Sequence, residues 1–95
     1  MPQIIYTPEF VNDFERIYNF LAEKNQIAAR SLAVRLEEKL ELLATIPKAF
    51  VFFGEFRLYL LEFGSSGYAI LYDHSEESDT ITILRIRHQK ESGFA

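Results

Sequence analysis

From Phe10 onward, apolar side chains recur at Phe14, Ile17, Tyr18 and Leu21, with Asn12, Asp13, Glu15, Arg16 and Glu23 elsewhere on the wheel. A spacing of three to four residues is that of an amphipathic helix and predicts one over 8–24. Its start is marked too. Thr7 is a suitable N-cap, Pro8 fits the first helical position, and Glu9 stands at the positive end of the helix dipole. After a polar break at Lys24-Asn25-Gln26, the stripe Ala29, Leu32, Leu36, Leu40 and Leu43 predicts a second helix over 27–45. Pro47 stops it, because the residue before a proline is pushed out of helical geometry. Two helices joined so closely pair as an antiparallel hairpin.

Beyond Pro47 the apolar period falls to two, the period of strands. Residues 55–63 carry Phe56, Leu58 and Leu60 on one face, with Arg57, Tyr59 and Leu61 on the other. Gly64-Ser65-Ser66-Gly67 reads as a four-residue hairpin loop, 68–74 as the next strand, 75–79 as an acidic turn and 80–88 as the last strand. Gln3-Ile4-Ile5-Tyr6 is a short β-prone run whose available partner is an edge of this meander. The order is β-α-α-β-β-β, an α+β fold with a helical hairpin packed on a small antiparallel sheet, in a single domain over 1–95. The apolar segment 48–54 reads as a packed connection, and the tail 91–95 as loosely held.

The last strand changes character along its length. Simple alternation puts Ile81, Ile83, Arg85 and Arg87 on one face, and Thr82, Leu84, Ile86 and His88 on the other. A face that turns from isoleucine to arginine calls for an anion at its far end. An internal carboxylate such as Asp73 would serve, as would a partner's.

Composition narrows the function. A hydrophobic fraction of 48% and an aromatic fraction of 15%, with nine Phe, argue for a real core and against disorder. No apolar run is long enough to span a bilayer, and the N-terminus has no basic region followed by a hydrophobic one. With no Cys there is neither a disulfide framework nor a thiolate metal site. The expectation is a soluble cytoplasmic protein with no membrane association. A net charge of −4 counts against binding nucleic acid through many phosphate contacts. The charge is uneven, however: Asp73, Glu76, Glu77 and Asp79 cluster in one turn, and Arg85, Arg87 and Lys90 follow it.

Most site chemistry finds little support. His74 and His88 stand at the ends of consecutive strands without metal-ligand spacing, so no metal and no cofactor are expected. The serines lie in loops or the tail without a nucleophile elbow, and Gly64–Gly67 does not precede a helix as a phosphate loop must. Acid–base cleavage of RNA is the one enzymatic reading to weigh, with Arg57, Arg85, Arg87, His88 and Lys90 supplied by the sheet. Against it stands cross-strand pairing of Arg57 and Arg85 with Glu55, Glu62 or Asp73. Tyr59, Tyr68 and Tyr72 could stack on bases, but strand tyrosines more often pack a sheet. Leu32, Ala33, Val34 and Leu36 widen the apolar arc of the second helix beyond what one sheet face needs. Such a strip fits either core packing or a protein partner.

The order of elements, the Thr7-Pro8-Glu9 start, the hairpin closed by Pro47, the strand with Arg57, the Tyr68-Ala-Ile-Leu-Tyr72 strand and the ending Ile83-Leu-Arg-Ile-Arg-His88 together resemble the RelE/ParE superfamily of toxins. These belong to bacterial type II toxin–antitoxin modules, of the plasmid stabilisation type. The resemblance implies a toxin held inactive by a cognate antitoxin, and operator DNA bound only through that antitoxin. ParE-like members poison DNA gyrase and are not enzymes, whereas RelE-like members cut mRNA on the ribosome. The sparse basic residues between Pro47 and Phe63, Gln89 in place of a C-terminal tyrosine, and the acidic net charge favour the ParE-like branch. The resemblance assigns partner binding to Arg57, Arg85, Arg87 and Lys90. For a nuclease the set would be Arg57, Arg85 and His88. A degenerate toxin that only binds its antitoxin and co-regulates the operon is the third reading.

Overall fold

The computed structural model describes residues 2–90. Its elements are β1 (Gln3–Tyr6), α1 (Pro8–Lys24), α2 (Gln26–Thr45), β2 (Phe52–Phe53), β3 (Phe56–Phe63), β4 (Ser66–Ser75) and β5 (Thr80–His88). The expected α+β order is present, with β2 as one additional short strand. The tail beyond Lys90, expected to be loosely held, lies outside the described residues.

The five strands form one sheet in the order β1-β5-β4-β3-β2. β1 lies parallel to β5, and the other three pairings are antiparallel. The helical hairpin covers one face. Phe10 and Ile17 of α1 and Leu32, Leu36, Leu40 and Leu43 of α2 meet Leu61, Tyr68, Ile70, Tyr72, Ile81, Ile83 and Ile86 of the sheet. Each such side chain contributes about 1.5–3 kcal/mol on burial. Tyr68 and Tyr72 are therefore core residues and not platforms for bases. Among the described residues, no helix is long and apolar enough to cross a membrane.

The link between the helices is shorter than the sequence suggests, because one residue serves both ends. The Asn25 backbone N–H donates to the Leu21 carbonyl at 2.8 Å, closing α1. Its side-chain oxygen accepts from the Ala28 N–H at 3.0 Å, capping α2. The β3–β4 hairpin also tightens. Phe63 pairs with Ser66, so only Gly64 and Ser65 turn the chain, and Gly64 takes φ 60° as the first central residue.

Two expectations need correction. In segment 48–54 it is Phe50 that lies against the core. Val51, Phe52 and Phe53 are 69%, 67% and 49% exposed, since a two-residue strand on the sheet edge has no layer above it. The second correction concerns β5. Tyr72 stands opposite Ile83 but Leu71 stands opposite Arg85, so Leu84 is an extra, bulged residue. The bulge exchanges the two faces. Ile86 joins Ile81 and Ile83 in the core, while Arg85 and Arg87 stand opposite Leu71 and Ala69. Without it Ile86 would face away from the helices.

Candidate functional site

The cationic end of β5 is built against α1. β1 pairs with β5 only from Thr80 to Ile83, after which the chain lifts away into the helix. The start of α1 continues the edge with other groups. The Thr7 N–H donates to the Ile83 carbonyl at 3.1 Å. The Thr7 hydroxyl donates to the Leu84 carbonyl at 2.8 Å and accepts from the Phe10 N–H at 3.1 Å, so one side chain caps the helix and holds the bulge. Further along α1 the Asp13 carboxylate accepts the Ile86 N–H at 3.2 Å, where a neighbouring strand would have offered a carbonyl.

The same carboxylate grips Arg85 with two prongs, Nε to Oδ2 at 2.7 Å and Nη2 to Oδ1 at 3.0 Å. Asp13 is only 8% exposed. Its hydrogen bond holds the Arg85 guanidinium above the ordinary arginine value. The internal anion expected for this strand is therefore Asp13, not Asp73. A signal for it stood in the sequence. Asp13 lies three residues after Phe10 and four before Ile17, so it sits on the apolar stripe of α1 and not beside it. A carboxylate on a buried face needs a cation and a donor, and Arg85 and the Ile86 N–H supply them.

Arg57 is engaged elsewhere. Its Nη1 donates to the Phe50 carbonyl at 2.7 Å and the Lys48 carbonyl at 3.2 Å, and its guanidinium lies 4.0 Å over the Phe52 ring. Among the described residues no cross-strand carboxylate pairs with it. The Tyr72 hydroxyl donates to the Pro47 carbonyl at 2.6 Å, and burial pushes that phenol up to about 12. Arg57 and Tyr72 together hang the 47–50 connection on the sheet. Nearby, Lys48 pairs with Glu76 at the surface and draws that carboxyl below its ordinary value.

His88 lies at the other end. It stands opposite Tyr68, edge to face at 5.2 Å, and its Nδ1 accepts the Lys90 backbone N–H at 3.1 Å. A neutral ring in that arrangement carries its hydrogen on Nε2. The Gln89 N–H donates to the Gly67 carbonyl at 2.9 Å, and the Gln89 side chain occupies the space a Cβ on Gly67 would need. Arg57 pairs with Tyr72 and His88 with Tyr68, four residues along β4. That separation is about 13 Å along the strand, before the sideways offset of two strands is counted. Arg57 and His88 thus stand apart along the sheet, and Arg85, between them in register, is turned to Asp13.

A family model described as ParE toxin of type II toxin-antitoxin system, parDE, matches residues 4–93. The chain belongs to the ParE toxin family. No curated protein sequence matches it. Membership makes it a toxin of a type II toxin–antitoxin system with an antitoxin as partner. In this ParE-family chain the four cations expected to meet partners are differently placed. Arg57 and Arg85 are held by the fold, Arg87 is half-buried opposite Ala69, and Lys90 is exposed. Among the described residues no group of His, Asp and Glu is gathered for a metal ion.

Proposed function

We propose that this ParE-family toxin acts by binding and poisoning DNA gyrase in the cytoplasm, and that a cognate antitoxin neutralises it. One observation carries the reading. The two arginines that a nuclease would aim at a scissile phosphate are committed to Asp13 and to backbone carbonyls. Acid–base cleavage needs a proton donor, an acceptor and a cation within hydrogen-bond reach of the same reacting group. The separation of Arg57 from His88 argues against such a set, and the net charge of −4 opposes docking on ribosomal RNA. A toxin that works by occupying a protein surface needs none of this. In this reading the antitoxin carries the operator-binding function, and the pair stabilises the replicon that encodes it.

The test is a supercoiling assay with purified gyrase. Inhibition, with cleaved DNA accumulating, is the expected outcome, and it is reversed by the antitoxin. Gyrase left fully active at a large molar excess of folded toxin would refute the proposal. In cells, DNA synthesis falls before protein synthesis; the opposite order would mean mRNA cleavage.

A further inference from the structure

The second helix carries two apolar stripes. Leu32, Leu36, Leu40 and Leu43 are buried on the sheet. Ile27, Val34 and Leu42 are 78%, 57% and 51% exposed. These three stand close to two helical turns apart, so they fall on one face, opposite the buried stripe. Val34, read from the sequence as part of one widened arc, belongs to this second stripe. Charge along the exposed face is ordered. Arg30 lies in the N-terminal half of α2, and Glu37 and Glu41 lie in the C-terminal half. Helical spacing puts all three on one flank of the stripe. All are exposed, and among the described residues none of them pairs with another side chain. Arg35, on the other flank, is turned to the Glu62 carbonyl at 3.0 Å. A cation early and carboxylates late is the reverse of what the helix's own dipole favours, and Glu37 and Glu41 have the unfavourable like-charge spacing i, i+4. Helix stability therefore does not account for the order.

We infer that this face of α2 receives the same face of a second copy of the chain, with the two helices antiparallel about a two-fold axis beside Val34. Val34 then packs beside Val34 of the second copy, Ile27 meets its Leu42, and Ser31 meets its Glu38. Arg30 falls between its Glu37 and Glu41, and the two-fold axis repeats every contact. Charge selects this arrangement. A parallel pair would set Arg30 against Arg30 and the carboxylates against each other. A uniformly acidic or uniformly basic helix from another protein would be repelled along half of the face. The helix that fits has its charges in the opposite order when laid antiparallel, and α2 is such a helix. Antiparallel packing also opposes the two macrodipoles. With 20 residues α2 is about 30 Å long. One helix pair of that length buries less than the about 1,200–2,000 Å² of a standard stable interface, so the dimer is a micromolar one. The inference goes beyond the gyrase reading and does not depend on it, since self-association and supercoiling are measured separately.

The experiment is sedimentation equilibrium of the full chain, with circular dichroism to confirm that each variant is folded. The expected result is a monomer–dimer equilibrium with a Kd of about 10–100 μM. Val34→Asp weakens it by about tenfold or more, whereas Leu60→Ser, exposed on the sheet, leaves it unchanged. Arg30→Glu weakens self-association by about tenfold, and so does Glu37→Lys combined with Glu41→Lys. Mixed in equal amounts, these two proteins form a heterodimer as tight as the wild-type pair, because each then presents the charge that the other lacks. A chain that stays monomeric up to about 1 mM would overturn the inference. A dimer indifferent to Val34→Asp or to the charge reversals would overturn it in favour of another face. A monomer whose inhibition of gyrase is lost in folded Val34→Asp would overturn it in favour of gyrase as the occupant.

Discussion

Replacing Asp13 by alanine removes three contacts at once: both prongs to Arg85 and the acceptor for the Ile86 N–H. Breaking one side of a fully buried ion pair costs about 3–5 kcal/mol, because the remaining charge is left without compensation. Here the Arg85 side chain is 32% exposed and can regain water, so about 2 kcal/mol is the appropriate share. The Ile86 N–H, buried at the strand edge, adds about 1 kcal/mol for its lost acceptor. A total near 3 kcal/mol corresponds to a fall in Tm of about 12–24 °C for a domain of this size. Urea titration followed by circular dichroism measures it, with an unchanged m-value as the check that the same surface unfolds. Asp13→Asn keeps the shape and one acceptor, so it should fall between wild type and Asp13→Ala. Adding Arg85→Met to each variant completes a double-mutant cycle, whose coupling should exceed about 1 kcal/mol. If Asp13→Ala costs less than about 1 kcal/mol, or the two changes simply add, the pair is an ordinary surface contact and the reasoning fails.

Tyr72→Phe loses the hydrogen bond to the Pro47 carbonyl and should cost about 1 kcal/mol at neutral pH. The Tyr72 phenol is raised in the folded state from 10.0 to about 12, so its contribution is fully present below pH 10 and is lost as pH rises toward 12. Tyr6 and Tyr59 shift in the same direction, mainly through burial, so the variant should show a shallower alkaline loss of stability and not a flat one. An unchanged slope above pH 10 would rule out the assignment. Arg57→Ala should cost about 1–2 kcal/mol and speed amide exchange around Ala49 to Val51. Lysine there should not restore it, because an ammonium cannot both reach two carbonyls and stack on Phe52; toxicity abolished in a stable Arg57→Lys protein would instead mark a catalytic residue. Leu61→Ala, at 1% exposure, should lose about 2–5 kcal/mol, whereas Leu60→Ser, at 65%, should stay within about 0.5 kcal/mol; equal losses in thermal melts would refute the assignment of faces.

The parts of this fold that follow from local periodicity were legible in the sequence. The stripe Ala29, Leu32, Leu36, Leu40 and Leu43 is buried as its spacing requires, and Thr7-Pro8 starts α1 as its chemistry requires. What stayed hidden depends on contacts between distant segments. The bulge at Leu84 leaves no mark in the alternation of 80–88, because isoleucines stand on both sides of it and either register buries some of them. Asp13 was separated from the apolar stripe by its charge, although its position belongs to that stripe. Arg57 offered no sequence cue toward its partners at all, since they are the backbone carbonyls of Lys48 and Phe50. A carbonyl is present at every residue, and only tertiary structure singles one out.

The same three features explain why the candidate site reads so differently in sequence and in space. Arg85 was expected to meet Asp73 or a partner's carboxylate, because the anion that takes it is 72 residues away along the chain. Once the bulge turns Ile86 into the core, Asp13 can reach both the Ile86 N–H and the guanidinium, and the strand end is tied to α1. That tie has a measurable consequence. Asp13 lies on the buried face of α1, and Ile86 is two residues before His88, so the Asp13 contacts hold the end of β5 against the helix. Asp13→Asn, at a temperature where it is fully folded, should therefore speed amide exchange from Ile86 to His88 while leaving exchange at the Arg57 end of the sheet unchanged. Exchange at the end of β5 equal to wild type in that variant would show that the strand end is held independently of the ion pair.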